Sequence, residues 1–447
     1  MTRNALSSTA LLTDHYELTM LQAALHSGAA RRPCVFEVFA RRLPEGRRYG
    51  VVAGTGRLLE AVRAFRFGDA EIERLRVADV VDSQTLDFLA GYRFSGNISG
   101  YAEGECYFAG SPLLVVEGTF AESVLLETVL LSILNHDCAI AAAASRMTNA
   151  AGGRPCIEMG SRRTHEWAAV AAARAAYIAG FATTSNLEAG RTHGIPTAGT
   201  SAHAFTLLHD DERTAFEAQV ACFGPGTTLL VDTYDVEPAV DLAVEIAGVG
   251  LGAVRLDSGD LLVQAREVRA QLDALGATGT RIVVTSDLDE HAIAALAAAP
   301  VDGYGVGTCL VTGSGAPTAG LVYKMVARAD DTGQVLDVAK LSKDKGTVGG
   351  RKWAMRRLNE RGQAEAEVIG TGAMPATGSD RPSPRGRPLQ ARALLVDLMR
   401  DGEIVADLTL EAARTRYQQS LAELPATALQ LSRGEPVITT VFEENHH

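Results

Sequence analysis

Between residues 150 and 325 the sequence alternates short apolar runs with stretches of helical periodicity. This alternation constrains the fold more than any other feature. The runs are RPCIEMGS, FATTSN, IPTAGTS, TTLLVDTY, GAVRLDSG, RIVVTSDL and DGYGVGT. Between most of them lie patterns such as LLVQAREVRAQLDAL, where Leu261, Ala265, Val268, Leu272 and Leu275 recur at helical spacing. A βαβα rhythm predicts a parallel sheet, open or closed into a barrel. Seven runs with no dinucleotide-binding fingerprint favour a barrel, regular or irregular.

Nearly every run ends in small, polar or charged residues. These are Glu158 and Ser161, Ser185 and Asn186, Thr200 and Ser201, Asp232, Asp257 and Ser258, Ser286 and Asp287, and Gly307 and Thr308. In a parallel barrel those ends converge on the face where substrates bind. Helix capping is the competing explanation, since Asp257 with Asp260, and Ser286 or Asp287 with Asp289 or Glu290, read as N-cap arrangements.

The flanking regions have a different texture. Before residue 130, CVFEVFA, NISGYAEGECYF and SPLLVVEGTF read as strands, and TDHYELTMLQAALHSG as a helix ending at Gly28. Phe120 to Ala144 is apolar at helical spacing. After residue 326 come a basic piece, KLSKDKGTVGGRKWAMRR, a Pro/Gly/Ser/Arg-rich loop at 374–388, a strand-turn-strand pattern in ALLVDLMRDGEIVADLTL, and a helix from Leu410 to about Leu424.

Composition excludes several function classes. The 42 basic residues against 54 acidic ones give a net charge of −12, so no basic surplus exists to hold a nucleic-acid backbone. The six cysteines are scattered without metal spacing and read as buried small hydrophobes in a reducing compartment. No export signal is legible, and the longest uncharged run, Gly303 to Tyr323, contains six glycines and Pro317, unlike a membrane helix. A soluble cytoplasmic protein with no membrane partner is expected. His446 and His447 are given no role. The five lysines, Lys324, Lys340, Lys343, Lys345 and Lys352, avoid the predicted barrel strands, which argues against Schiff-base chemistry.

Local chemistry singles out a few residues. Asp302–Gly315, DGYGVGTCLVTGSG, is the best phosphate-binding segment, because glycines admit an anion close to backbone N–H groups. His203 follows the run IPTAGTS at the start of a helix and could move protons or accept a phosphoryl group. His165 and His193 have much the same local claim. Arg162 and Arg163 follow IEMGS and could meet an anion. Arg255 lies within an apolar strand and needs an anionic partner, either Asp257 or a substrate. Spacing alone leaves Tyr16 as a core aromatic.

Taken in order, LLTDHYELTM, EMGSRR, TTSNLEAG, IPTAGTSAHAF, VDTYD, VRLDSGDL, VTSDLDE and GVGTCLVT resemble the nicotinate phosphoribosyltransferase family. LSKDKGTVGGRKWAMRR and LLVDLMRDGEIV resemble its later part, so the likeness covers nearly the whole chain. The resemblance implies an α/β fold: an irregular parallel α/β barrel with an N-terminal α/β sandwich domain and a C-terminal extension. The boundaries expected are an N-terminal domain over 1–130, a barrel catalytic domain over 131–325 and a C-terminal region over 326–447 packing on both. It also implies that nicotinate and phosphoribosyl pyrophosphate give nicotinate mononucleotide and pyrophosphate, with ATP hydrolysis coupled through a phosphohistidine and with Mg²⁺ present. His203 matches that histidine. Tyr16, Thr200 and Arg255 match nicotinate-pocket positions, Gly307 and Thr308 the phosphoribosyl contact, and Arg162 a further anion contact. Asp257 is an additional substrate-pocket candidate, and it or Asp287 could hold Mg²⁺ through water; no residue is assigned as a direct metal ligand. Tyr16 would act across the interface of a homodimer with shared active sites. The alternatives are a nicotinamide phosphoribosyltransferase, a quinolinate-type enzyme, which the lysine-free barrel disfavours, and a non-catalytic nucleotide-binding barrel.

Overall fold

The run CVFEVFA forms the strand Pro33–Ala40, whose residues from Phe36 to Ala40 are all buried. It lies inside a seven-stranded sheet in the order Val335–Asp337, Leu321–Ala329, Pro33–Ala40, Leu114–Thr119, Asn97–Tyr101, Leu395–Arg400, Glu403–Ile404. All its pairings are antiparallel. The computed structural model describes residues 8–340, 348–375 and 390–443. Lys343, Lys345, nearly all of the 374–388 loop and the terminal histidines lie outside them.

The chain divides into two compact units, Met1–Ala139 with Thr318–His447, and Ile140–Pro317. Strands from both ends of the chain thus build one sheet. Cys34 to Ala40 pair with Arg328 to Leu321, and Leu395 pairs with Tyr101. The strand-turn-strand pattern near residue 400 closes through Asp401 and Gly402, at φ 50° and 78°. Two successive positive φ angles suit a tight hairpin, and Asp-Gly is a pair that tolerates them. A second, four-stranded sheet joins Gln390–Ala393, Lys352–Leu358, Ala364–Thr371 and Thr439–Phe442.

The apolar stretch after Phe120 forms two helices, Phe120–Val124 and Glu127–Ala151. Together they are long and apolar enough to cross a membrane by length and composition. However, Val124, Leu125, Leu126, Val129, Leu130, Leu134 and Cys138 are buried in the core of the first unit. That packing accounts for their apolar character.

In the second unit the strands are β1 (Cys156–Glu158), β2 (Thr183–Thr184), β3 (Thr228–Leu230), β4 (Ala253–Leu256), β5 (Arg281–Val284) and β6 (Gly303–Val306). All pairs are parallel, in the order β2–β1–β6–β5–β4–β3. The seventh run, IPTAGTS, forms no strand. It makes a single parallel bridge, Thr184 to Thr197, with Thr184 N–H donating to the Pro196 carbonyl and Ala198 N–H to the Thr184 carbonyl. Pro196 has no N–H to extend the ladder. The parallel sheet therefore curls without closing, and its seam lies between the Thr197 segment and β3. The helix Leu261–Ala274 buries Ala265, Val268 and Leu272, three of the positions its periodicity marked.

Candidate active site

The seam is where polar side chains gather. Arg255 is the third residue of β4, and its side chain is 12% exposed. Its Nε donates to Thr285 Oγ1 at 3.0 Å, and its Nη1 to Thr200 Oγ1 at 3.1 Å and to the Ser201 carbonyl at 3.2 Å. Its Nη2 lies 3.4 Å from Asp257 Oδ2. One guanidinium thus ties the end of β4 to the end of β5 and to the irregular segment on the far side of the seam. Its five donors in a planar fork make that spread possible. Asp257, one of the two partners left open for Arg255, is within ion-pair reach of it.

His203 begins the helix His203–Leu208 and is 41% exposed. Its Nδ1 lies 3.2 Å from Thr233 Oγ1, just beyond β3, and its Nε2 lies 3.9 Å from Asp257 Oδ2. Asp232 Oδ2 accepts the Asp257 N–H at 2.9 Å and the Ser258 hydroxyl at 2.7 Å. Burial alone would raise the Asp257 carboxyl. The hydroxyl donated by Thr285 and the adjacent Arg255 outweigh it and hold the group below the usual carboxylate range. Asp257 is therefore ionised at neutral pH.

Capping and site chemistry separate cleanly. Asp260 caps the helix Leu261–Ala274 and accepts the Val263 N–H, while Asp289 caps Glu290–Ala295. Asp257 caps neither, and Asp287 is exposed on the turn between. Ser286 in that turn holds φ 138°, a conformation an L side chain rarely adopts. Backbone strain of this kind clusters at active sites and ligand clamps.

The glycine-rich segment divides in two. Gly313, Ser314 and Gly315 take φ of 68°, 48° and 82° and form the turn that ends the helix Thr308–Val311. Gly307 and Thr308 sit at the C-terminal end of β6, beside β1. The Met159 carbonyl would lie 3.3 Å from a Cβ at Gly307. At Gly160 a Cβ would meet Val311 Cγ1 at 2.2 Å, so that position requires glycine. Arg162 is exposed on the turn after β1. Among the described residues no hydrogen bond joins this group to the Arg255 cluster, which lies two strands along the same edge.

Glu158, the last residue of β1, is fully buried. It accepts the Thr184 hydroxyl and the Gly160 N–H, and burial raises its carboxyl. His165 caps the helix Glu166–Ile178 through Nδ1, and His193 ends the helix Leu187–His193.

Two expectations change. Tyr16 is 45% exposed on the first turn of the helix His15–His26, so the core position suggested by its spacing is not observed. Burial and then the Glu127 carboxylate raise its phenol well above its ordinary range. Four of the six cysteines are buried, but Cys222 is exposed and Cys309 half-buried. Sequence reasoning missed Thr285 and Thr233. Both stand one residue from strand-end residues it had marked, but a threonine among threonines carries no distinguishing local signal.

A family model described as the nicotinate phosphoribosyltransferase N-terminal domain matches residues 11–135. Over 442 residues the chain is 58% identical to nicotinate phosphoribosyltransferase pncB1 of Mycobacterium tuberculosis, covering 96% of this chain and 94% of that protein. The chain belongs to the nicotinate phosphoribosyltransferase family. It is also 31% identical to human nicotinate phosphoribosyltransferase, over 93% of this chain and 91% of that one. The crystal structure of human nicotinic acid phosphoribosyltransferase superimposes with a TM-score of 0.81 at 29% identity, covering 97% and 98% of the two chains. That of nicotinate-nucleotide pyrophosphorylase from Pyrococcus furiosus does so at 0.73 and 24%, a likeness of fold. The irregular α/β barrel belongs to this family fold, open at its seam.

The Thr285 hydroxyl is one of the groups that, with Arg255, lower the Asp257 carboxyl against its burial, and the sign of its removal follows. In Thr285→Val the Asp257 pKa should rise, and if ionised Asp257 is required for turnover the acidic limb of the kcat/KM profile should move to higher pH. The shift is read from pH profiles of the two enzymes between pH 4 and 9, where superimposable limbs would refute it.

Proposed function

We propose that this chain is a nicotinate phosphoribosyltransferase, making nicotinate mononucleotide and pyrophosphate from nicotinate and phosphoribosyl pyrophosphate. The observation that carries the reading is Arg255, a half-buried guanidinium at the mouth of the curled sheet within ion-pair reach of only one carboxylate among the described residues. It provides positive charge for an aromatic carboxylate, with Thr200 beside it. A nicotinamide phosphoribosyltransferase would hold a neutral amide and have less use for that charge.

In the reaction the pyridine nitrogen bonds to ribose C1 as the C1–O bond to pyrophosphate breaks. Positive charge grows at C1 and negative charge on the leaving group. Gly307 and Thr308, with Arg162 on the turn that follows the neighbouring strand, form the proposed phosphoribosyl end. Mg²⁺ would neutralise the phosphates when bound. It characteristically keeps several waters and takes one or two protein carboxylates. Asp257 or Asp287 could hold such an ion through water, and among the described residues no cluster of three or more acidic, histidine or cysteine ligands exists to hold a bare ion.

His203 is the proposed phosphoryl acceptor. The γ-phosphoryl of ATP would bond to an imidazole nitrogen as its bond to ADP breaks, and water would later release phosphate. Thr233 fixes the ring through Nδ1, and the side chain is exposed enough to receive a nucleotide. Tyr16 would stack on nicotinate from the second subunit of a homodimer. A cytoplasmic location is part of the same reading.

Chromatography of the products with nicotinate or nicotinamide, each with and without ATP, tests the proposal. Nicotinate mononucleotide formed faster with ATP supports it, whereas product from nicotinamide alone overturns it. In His203→Ala, radiolabelled γ-phosphate no longer transfers to the protein and ATP no longer changes the rate. Undiminished labelling of the variant would move the acceptor elsewhere.

A further inference from the structure

Glu17 is a carboxylate with 0% exposure, three residues into the helix that carries Tyr16. At that position a glutamate commonly turns back to cap its own helix. Glu17 instead reaches a different helix. Its Oε1 accepts the Thr128 backbone N–H at 2.9 Å and the Thr128 hydroxyl at 2.5 Å, at the second residue of Glu127–Ala151. That N–H is one of the first-turn donors a helix cannot satisfy internally. The Thr13 hydroxyl donates to Glu17 Oε2, and the same hydroxyl lies 3.3 Å from the Leu125 carbonyl. Thr128 Oγ1 also lies 3.0 Å from Asp14 Oδ2. Thr13, Asp14 and Glu17 thus bind the start of one helix to the start of another. Among the described residues no cation pairs with Glu17. The nearby Lys324 pairs with Glu127 at 3.5 Å. Burial raises the Glu17 carboxyl to about 7 against the three hydrogen bonds that lower it.

This knot surrounds the exposed Tyr16 on both sides in the sequence. A buried acid without a cation is costly, and what it obtains here is a fixed geometry at the first turn of a helix. We infer that Glu17 is a positioning residue: by capping the helix Glu127–Ala151 it fixes the backbone that presents Tyr16, and so sets affinity for the aromatic substrate. The inference rests on the proposed contact between Tyr16 and nicotinate.

The test is steady-state kinetics of the full-length enzyme with nicotinate varied, for Glu17→Ala, Glu17→Gln and Tyr16→Ala. Loss of two or three hydrogen bonds in Glu17→Ala should raise KM about tenfold with kcat within about twofold, because a ground-state contact is lost. Glu17→Gln keeps an oxygen for the Thr128 N–H and should stay within about threefold of the parent KM. A role confined to folding would lower the active fraction, hence the apparent kcat, and leave KM unmoved. If Glu17→Ala does not fold, Thr128→Val removes only the hydroxyl and should raise KM about threefold. Tyr16→Ala separates the two ideas. A raised KM there with an unchanged KM in the Glu17 or Thr128 variants overturns the positioning role. An unchanged KM in Tyr16→Ala overturns the Tyr16 contact itself and this inference with it.

Discussion

Arg255→Ala is expected to lower kcat/KM for nicotinate by about 10²–10³, the equivalent of roughly 3–4 kcal/mol. The side chain makes three hydrogen bonds, to Thr285, Thr200 and the Ser201 carbonyl, and one ion pair, to Asp257. Its loss removes the proposed carboxylate contact and uncouples the two sides of the seam. Arg255→Lys should recover little, because an ammonium cannot span Thr285, Thr200 and Asp257 from one position. The preference for nicotinate over nicotinamide should shrink along with the rate. Steady-state comparison of the two bases in parent and variant is decisive. A variant that keeps both its rate and its preference would remove Arg255 from the site.

The largest stability effect should come from Arg356. It is fully buried and donates to Glu105, Glu367, Ser420 and the Cys106 carbonyl. Glu105 also binds Arg392 through two hydrogen bonds, at 2.7 and 2.9 Å. Burial dominates at Glu367, whose carboxyl is raised despite Arg356, whereas Arg392 and Arg356 hold Glu105 low. Arg356→Leu would leave Glu367, with 0% exposure, without its cation. Breaking a buried pair from one side costs about 3–5 kcal/mol. Trp353, three residues earlier on the same strand and 4% exposed, reports unfolding of this unit by fluorescence in urea. An unchanged midpoint would contradict the estimate. Glu367→Gln should cost much less, since its amide can still meet Ser111 and Arg356.

The Arg356 cluster also marks what sequence reasoning could not reach. Glu105, Arg356, Glu367, Arg392 and Glu423 are spread over some three hundred residues and read individually as ordinary surface charges. Burial is a property of the assembled sheets, so nothing local distinguishes Arg356 from the adjacent Arg357, which is only half-buried. Tyr16 illustrates the reverse case. Its helical spacing reads as core, but one turn at a helix start can point outward without disturbing the period of the rest.

What the sequence determined by itself was local and periodic. The helix Leu261–Ala274, the strand Pro33–Ala40 and the Asp401–Gly402 turn follow from spacing, side-chain shape and φ preference, each within a few residues. The ordered motifs carried the family as well, because a reaction fixes residues at strand ends in chain order. Only the tertiary structure decided where the curled sheet stays open. Pro196 and Gly199 weaken the seventh strand locally, but closure depends on pairing between segments far apart in the chain. It likewise decided that Asp260 and Asp289 cap helices while Asp257 meets Arg255 and lies near His203. The physical reason is common to both. A hydrogen bond or ion pair is set by distances of about 3 Å between atoms that the sequence separates by tens of residues, and only packing brings them within that range.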